Sequence, residues 1–181
     1  MTTIDRYRSI AEAFGTRLDG IGEDQWGLPT PCTEWTVREL VGHVVGTQRQ
    51  VLANTVGEEA EPVDLGSDLR PQWSAARRNI VDALSNDELA QKTVGGMFGE
   101  QPFESLVSRL VCTDTLVHTW DLARATGQDE GLDLECIERS FEFLSPIDDA
   151  IRRPGGFAPK IDPSPDADPQ TTFLNFCGRA V

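Results

Sequence analysis

Apolar residues recur at helical spacing along most of this chain. Ile4, Tyr7, Ala11, Phe14, Leu18 and Ile21 step by three or four, which predicts an amphipathic helix over residues 3–20 stopped by Gly20 and Gly22. A stiff loop follows at Leu28-Pro29-Thr30-Pro31-Cys32, and Thr36-Val37-Arg38-Glu39 then has the form of a capping box. A second helix therefore starts near Val37. Val37, Leu40, Val41, Val44, Val51 and Leu52 form its apolar stripe, and His43 sits at the edge of that stripe, able to turn toward a neighbouring helix.

An acidic stretch over 57–68, containing Pro62 and Gly66, reads as a solvated connection. Pro71 then fits the first turn of a third helix carrying Trp73, Ala76, Ile80 and Leu84. Glycine-rich residues 92–102 cross over to a fourth helix with the stripe Phe103, Val107, Leu110, Asp114, Val117, His118 and Asp121, ended by Gly127. Leu134, Ile137, Phe141 and Leu144 mark a fifth helix, broken at Ser145-Pro146. An irregular Pro/Asp-rich tail runs from Pro154 to Pro169, before a short closing helix around Thr171–Cys177. No strand, repeat or domain boundary is read. The expectation is an all-α single domain over residues 1–181, a four-helix bundle with an additional C-terminal helix and an irregular tail.

Composition narrows the function. The chain has 181 residues, long enough to bury a core without disulfides or a structural metal, so a metal here would serve function rather than folding. Sixteen Lys and Arg against thirty Asp and Glu leave a formal net charge of −14, a surface that repels phosphate backbones and anionic headgroups. No apolar run approaches the ~20 residues that span a bilayer, and the start lacks a secretory segment. A cytoplasmic protein acting on a small molecule or thiol, with a homodimer as one arrangement open to it and without nucleic-acid or membrane partners, is expected. Cys32, Cys112, Cys136 and Cys177 are scattered singly and read as reduced thiols, mostly core filler.

The chemistry concentrates in Asp114-Thr115-Leu116-Val117-His118. A carboxylate and an imidazole four residues apart on a helix have Cβ atoms about 5–6 Å apart, within reach of one ion. His43 is the only other histidine. Two imidazoles and one carboxylate suit Zn²⁺, with Ni²⁺, Fe²⁺ and Mn²⁺ as alternatives, and three protein ligands leave positions open for water or substrate. Bland readings stand beside this one: Asp114 and His118 as a hydrogen-bonded surface pair, and His43 as a core histidine. Asp121, one turn beyond His118, either orients that ring or serves as a solvated or capping residue. Trp35 and Trp120 either wall a pocket or anchor packing, and Cys32 is either a soft ligand or redox thiol, or structural. No Gly-rich phosphate loop, nucleophile elbow or H-E-x-x-H helix is present.

The run Pro29-Thr30-Pro31-Cys32-Thr33-Glu34-Trp35-Thr36-Val37-Arg38-Glu39-Leu40-Val41-Gly42-His43, together with Asp114-Thr115-Leu116-Val117-His118-Thr119-Trp120-Asp121-Leu122-Ala123-Arg124-Ala125-Thr126-Gly127, resembles the mycothiol-dependent maleylpyruvate isomerase N-terminal-like group of the DinB/YfiT superfamily. The likeness extends to the end, Phe173-Leu174-Asn175-Phe176-Cys177-Gly178-Arg179. It implies a DinB-like four-helix bundle with one divalent metal held by His43, Asp114 and His118. It also implies a thiol-dependent transferase or isomerase in which the metal activates mycothiol, another small thiol or water; a non-catalytic metal-binding bundle and a purely structural bundle with Asp114 and His118 as a hydrogen-bonded pair stand as the alternatives. In the isomerase the acidic ligand is glutamate, and here the shorter Asp114 takes that place. No counterpart of the isomerase's separate C-terminal domain is read, so the resemblance implies a metal site more than maleylpyruvate isomerisation.

Overall fold

A computed structural model describes residues 1–33, 35–96, 99–152 and 156–181. Glu34 of the quoted run and Pro154 at the head of the tail lie outside the described residues. The apolar stripes fold as helices: α1 (Thr3–Asp19), α2 (Val37–Val56), α3 (Leu69–Leu84) and a long fourth helix beginning with α5 (Phe103–Leu106) and ending with α6 (Cys112–Thr126), with a short α4 (Asp87–Ala90) between α3 and α5. α1 packs on α3 and α6, and α2 packs on the same two, which closes a four-helix bundle. Tyr7, Phe14, Leu40, Ile80, Phe103 and Trp120 are among the side chains fully enclosed at its centre. Inside that core the Tyr7 hydroxyl donates to the Gln48 side-chain carbonyl, tying α1 to α2.

Local signals set the helix ends. Thr36 and Glu39 complete the capping box, the Glu39 carboxylate accepting from the Thr36 backbone N–H at 2.8 Å, so α2 begins at Val37 and the position of His43 follows. Gly127 closes α6 in the left-handed conformation (φ 69°), as its place after the last apolar residue predicts. α7 (Leu134–Leu144) passes into a 3₁₀ turn at Ser145–Ile147, then α8 (Asp148–Ile151), and α9 (Pro169–Phe176) closes the described chain. Leu134, expected on the apolar face of α7, is exposed instead, since it occupies the first, solvent-facing position after the Asp133 cap.

Two features depart from the sequence reading. Residues 92–102 contain a small antiparallel ribbon, β1 (Thr93–Val94) with β2 (Gln101–Pro102), pairing Thr93 with Pro102 and Val94 with Gln101. Strands of two residues are too short to leave an alternating pattern. The long fourth helix is also interrupted by a π turn at Val107–Val111, where the Cys112 N–H reaches back to the Val107 carbonyl. The apolar seam there runs through Val107 and Val111, both fully buried, leaving Leu110 at the margin and Arg109 exposed. Among the described residues, no helix is long and apolar enough to cross a membrane.

Candidate metal centre

α2 and α6 face one another where His43 meets Asp114 and His118. His43 Nε2 lies 3.0 Å from Asp114 Oδ1, and His118 Nε2 lies 3.5 Å from the same oxygen. One ligand atom from each of the three residues falls within 4.8 Å of the others. Donors bound about 2.0–2.2 Å from one tetrahedral ion sit about 3.3–3.6 Å apart, so the two carboxylate–imidazole separations are close to those of a shared ion, and the imidazole pair has at most a small distance to close. The second carboxylate oxygen, Asp114 Oδ2, is buried and among the described residues has no hydrogen-bond partner. A buried carboxylate oxygen left bare is costly unless a cation is at hand, and the two imidazoles are the nearest source of one.

The surroundings fix the rings. His118 Nδ1 faces Asp121 Oδ2 at 2.9 Å, which leaves Nε2 directed at Asp114. Asp121 is fully buried, so it is neither solvated nor a cap. Arg179, itself only 6 % exposed, donates from Nε to Oδ1 at 3.0 Å and from a terminal nitrogen to Oδ2 at 2.7 Å, a two-pronged clasp on the carboxylate. The remaining terminal nitrogen of Arg179 donates to the Cys177 carbonyl at 2.9 Å. The clasp depends on Gly178, whose backbone is left-handed (φ 76°) and whose Cα faces Ala158 so closely that an added Cβ would lie 2.9 Å from the Ala158 carbonyl oxygen.

Burial opposes ionisation of Asp114, but the adjacent His118 and His43 outweigh it and hold the carboxyl well below the usual range. Burial likewise opposes charge on His118, yet Asp114 and Asp121 at its two nitrogens raise it to about 9. Asp121 is raised by burial and lowered more strongly by its bonds to His118 and Arg179, so it stays ionised. Without a metal the cluster is a buried imidazolium between two carboxylates.

Trp35 stacks on His43 at 4.3 Å and leans on His118 at 5.6 Å, walling one side of a cavity of about 170 Å³. Trp120 does not share this role. It is wholly enclosed in the core, because its position on α6 points into the bundle. Cys32, half-buried, lines the same cavity but is not part of the three-residue cluster. Cys112 and Cys177 are pushed up to about 12 by burial, and Cys136 to about 11, so these three stay protonated at neutral pH.

The structure thus brings together the two histidines and the aspartate that the sequence singled out, and sets Asp121 against His118. Sequence reasoning did not assign Arg179, which lies 58 residues from Asp121. The only signal was a lone arginine after a helix-ending glycine at the close of the chain.

The sequence profile of the mycothiol maleylpyruvate isomerase N-terminal domain matches residues 7–123. Two Mycobacterium tuberculosis proteins are similar over their full lengths and that of this chain, each 33 % identical across 190 aligned residues: uncharacterized protein MT0763 of strain CDC 1551 / Oshkosh and uncharacterized protein Rv0738 of strain ATCC 25618 / H37Rv. No solved structure matches the chain.

Proposed function

Since the chain belongs to the mycothiol maleylpyruvate isomerase N-terminal domain family, we propose that it is a divalent-metal-dependent enzyme of the thiol-dependent transferase or isomerase type, with His43, Asp114 and His118 as the metal ligands. The observation that carries this reading is the bare, buried Oδ2 of Asp114 beside two imidazole nitrogens at the wall of an open cavity. Two nitrogens and one carboxylate oxygen suit Zn²⁺ first and Ni²⁺, Fe²⁺ or Mn²⁺ next, with coordination positions left over for a ligand. A cation there would favour the thiolate of mycothiol or another small thiol, or the ionised form of water, at neutral pH.

The protein's own groups prepare the place. Asp121 and Arg179 hold the His118 ring so that Nε2 stays aimed at the cluster. Trp35 covers His43 and keeps water from one face of its ring. The buried Cys112, Cys136 and Cys177 are unfit as nucleophiles, which leaves Cys32 at the cavity wall and the thiol of a cosubstrate as sources of a reacting sulfur.

The test combines metal analysis with turnover. Purified protein should carry one ion per chain, and His43→Ala should not; metal far below stoichiometry, unchanged by the substitution, sinks the ligand assignment. An electrophile such as monobromobimane, offered with mycothiol, should react faster with metal-loaded protein than with chelated protein. Equal rates with metal bound would select the non-catalytic metal-binding bundle.

A second consequence follows from the imidazolium. His118 at about 9 holds a proton at pH 7, and a metal ligand must lose it, so metal uptake at pH 7 releases about one proton per chain. Calorimetric titration in two buffers of different ionisation enthalpy should therefore give two different apparent enthalpies, and identical values would refute the charged ring. In metal-free protein the folded His118 is raised above its unfolded value of about 6.5. Its stabilisation is complete below about pH 6.5 and is lost as pH climbs through about 9.

A further inference from the structure

A second cavity, of about 780 Å³, is lined by Arg6, Ser108, Arg109, Arg139 and Glu142, among others. Among the described residues, three guanidinium groups against one carboxylate invert the sign of a chain whose net charge is −14. The volume lies within the ~300–1,000 Å³ typical of small-molecule sites.

Arg6 is the unusual member. It is 3 % exposed, and among the described residues it forms no ion pair. Its terminal nitrogens donate only to neutral oxygens: the Ser108 carbonyl at 2.7 Å and hydroxyl at 3.3 Å, the Cys136 carbonyl at 3.2 Å and the Ser140 hydroxyl at 2.7 Å. Among the described residues, its buried Nε has no hydrogen-bond partner. A guanidinium cannot shed its proton, so these bonds satisfy its geometry and leave its charge uncompensated. Buried Arg179, by contrast, has a carboxylate of its own.

Arg109 stands at the rim, carried outward by the π turn. It gives one N–H to Gln101 Oε1 at 3.0 Å and, among the described residues, is in no ion pair. Arg139 gives its Nε to Glu135 at 3.3 Å, an exposed contact that leaves its terminal nitrogens for other use. A second group of arginines, Arg8, Arg77 and Arg78, lines another hollow, but all three are exposed and none is a buried cation.

We propose that the Arg6 cavity is a binding site for an anionic small molecule bearing a carboxylate or a phosphate, grasped by Arg109 and Arg139 and attracted by the fixed charge of Arg6. Arg109 and Phe143 line both this cavity and the one at His43, Asp114 and His118. The two hollows share that wall, so a ligand with its anion among the arginines is placed to extend its other end toward the metal centre. That last clause rests on the metal-dependent reading; the anion site does not.

The experiment is calorimetric titration of the full chain, stripped of metal by chelation and freed of chelator, with succinate, inorganic phosphate and, as a neutral control, succinamide. One of the two anions should bind at a single site while succinamide gives no signal. Arg109→Gln should weaken that binding at least tenfold, since a buried-cation site loses a charged donor, and Arg78→Gln in the other hollow should leave it unchanged. Tighter binding of succinate assigns a carboxylate ligand, and tighter binding of phosphate a phosphorylated one. No binding of either anion, binding of succinamide as well, or equal losses from Arg109→Gln and Arg78→Gln would overturn the proposal. Because the protein is metal-free, anion binding without a functional metal centre would remove only the spanning ligand.

Discussion

Replacing Arg179 by methionine should destabilise the metal-free protein by about 3–5 kcal/mol, the usual penalty for removing one partner of a buried ion pair. The loss comes chiefly from Asp121, fully buried and held by two of the Arg179 nitrogens, which would be left with His118 alone to balance it. Methionine replaces much of the arginine's apolar stem, so the measurement isolates the charge more cleanly than alanine would. Adding Asp121→Asn to the variant should restore part of the loss, because a buried amide lacks the unbalanced charge. Urea denaturation monitored by circular dichroism reads both effects. A change below about 1 kcal/mol would place the pair among exposed ion pairs of little worth and contradict its burial.

His118→Ala should abolish stoichiometric metal binding, whereas Asp121→Asn should keep it and weaken it about 10–100-fold. The two differ because His118 supplies a donor atom beside Asp114, while Asp121 touches only the far nitrogen of the same ring. A neutral amide at 121 still orients the imidazole but no longer strengthens its basicity. Competition against a chromogenic chelator gives both affinities on one scale. Equal losses in the two variants would mean that Asp121 acts by holding the fold together, and stoichiometric metal in His118→Ala would remove the ligand assignment itself. Far-ultraviolet circular dichroism of each variant separates these outcomes from unfolding.

The bundle and the meeting of His43 with the Asp114/His118 pair were legible because each rests on a local rule. The capping box at Thr36 and Glu39 set the start of α2 and with it the face on which His43 lies. The four-residue spacing placed Asp114 and His118 on one side of α6. What escaped has no local signature. Arg179 reaches Asp121 across 58 residues. Arg6 sits in the first helix, where a charged residue beside Tyr7 reads as a solvated position, and only the packing of α7 against it reveals its burial. The π turn hides within a run of apolar residues that fits an ordinary helix equally well. Trp120 was ambiguous for a related reason, since bulk alone does not distinguish a pocket wall from a core anchor.

The π turn bears on which residues the chemistry requires. A π turn holds one residue more than an α turn over the same stretch of axis, so the helix beyond it is rotated by about 100° relative to an unbroken one. In an unbroken helix the places now taken by Asp114 and His118 would fall to Thr113 and Val117, a hydroxyl and an isopropyl group. The acid-and-imidazole spacing is therefore meaningful only in concert with a single surplus residue upstream. Two chains carrying the same five-residue run could differ entirely in their capacity for an ion if one had lost that residue.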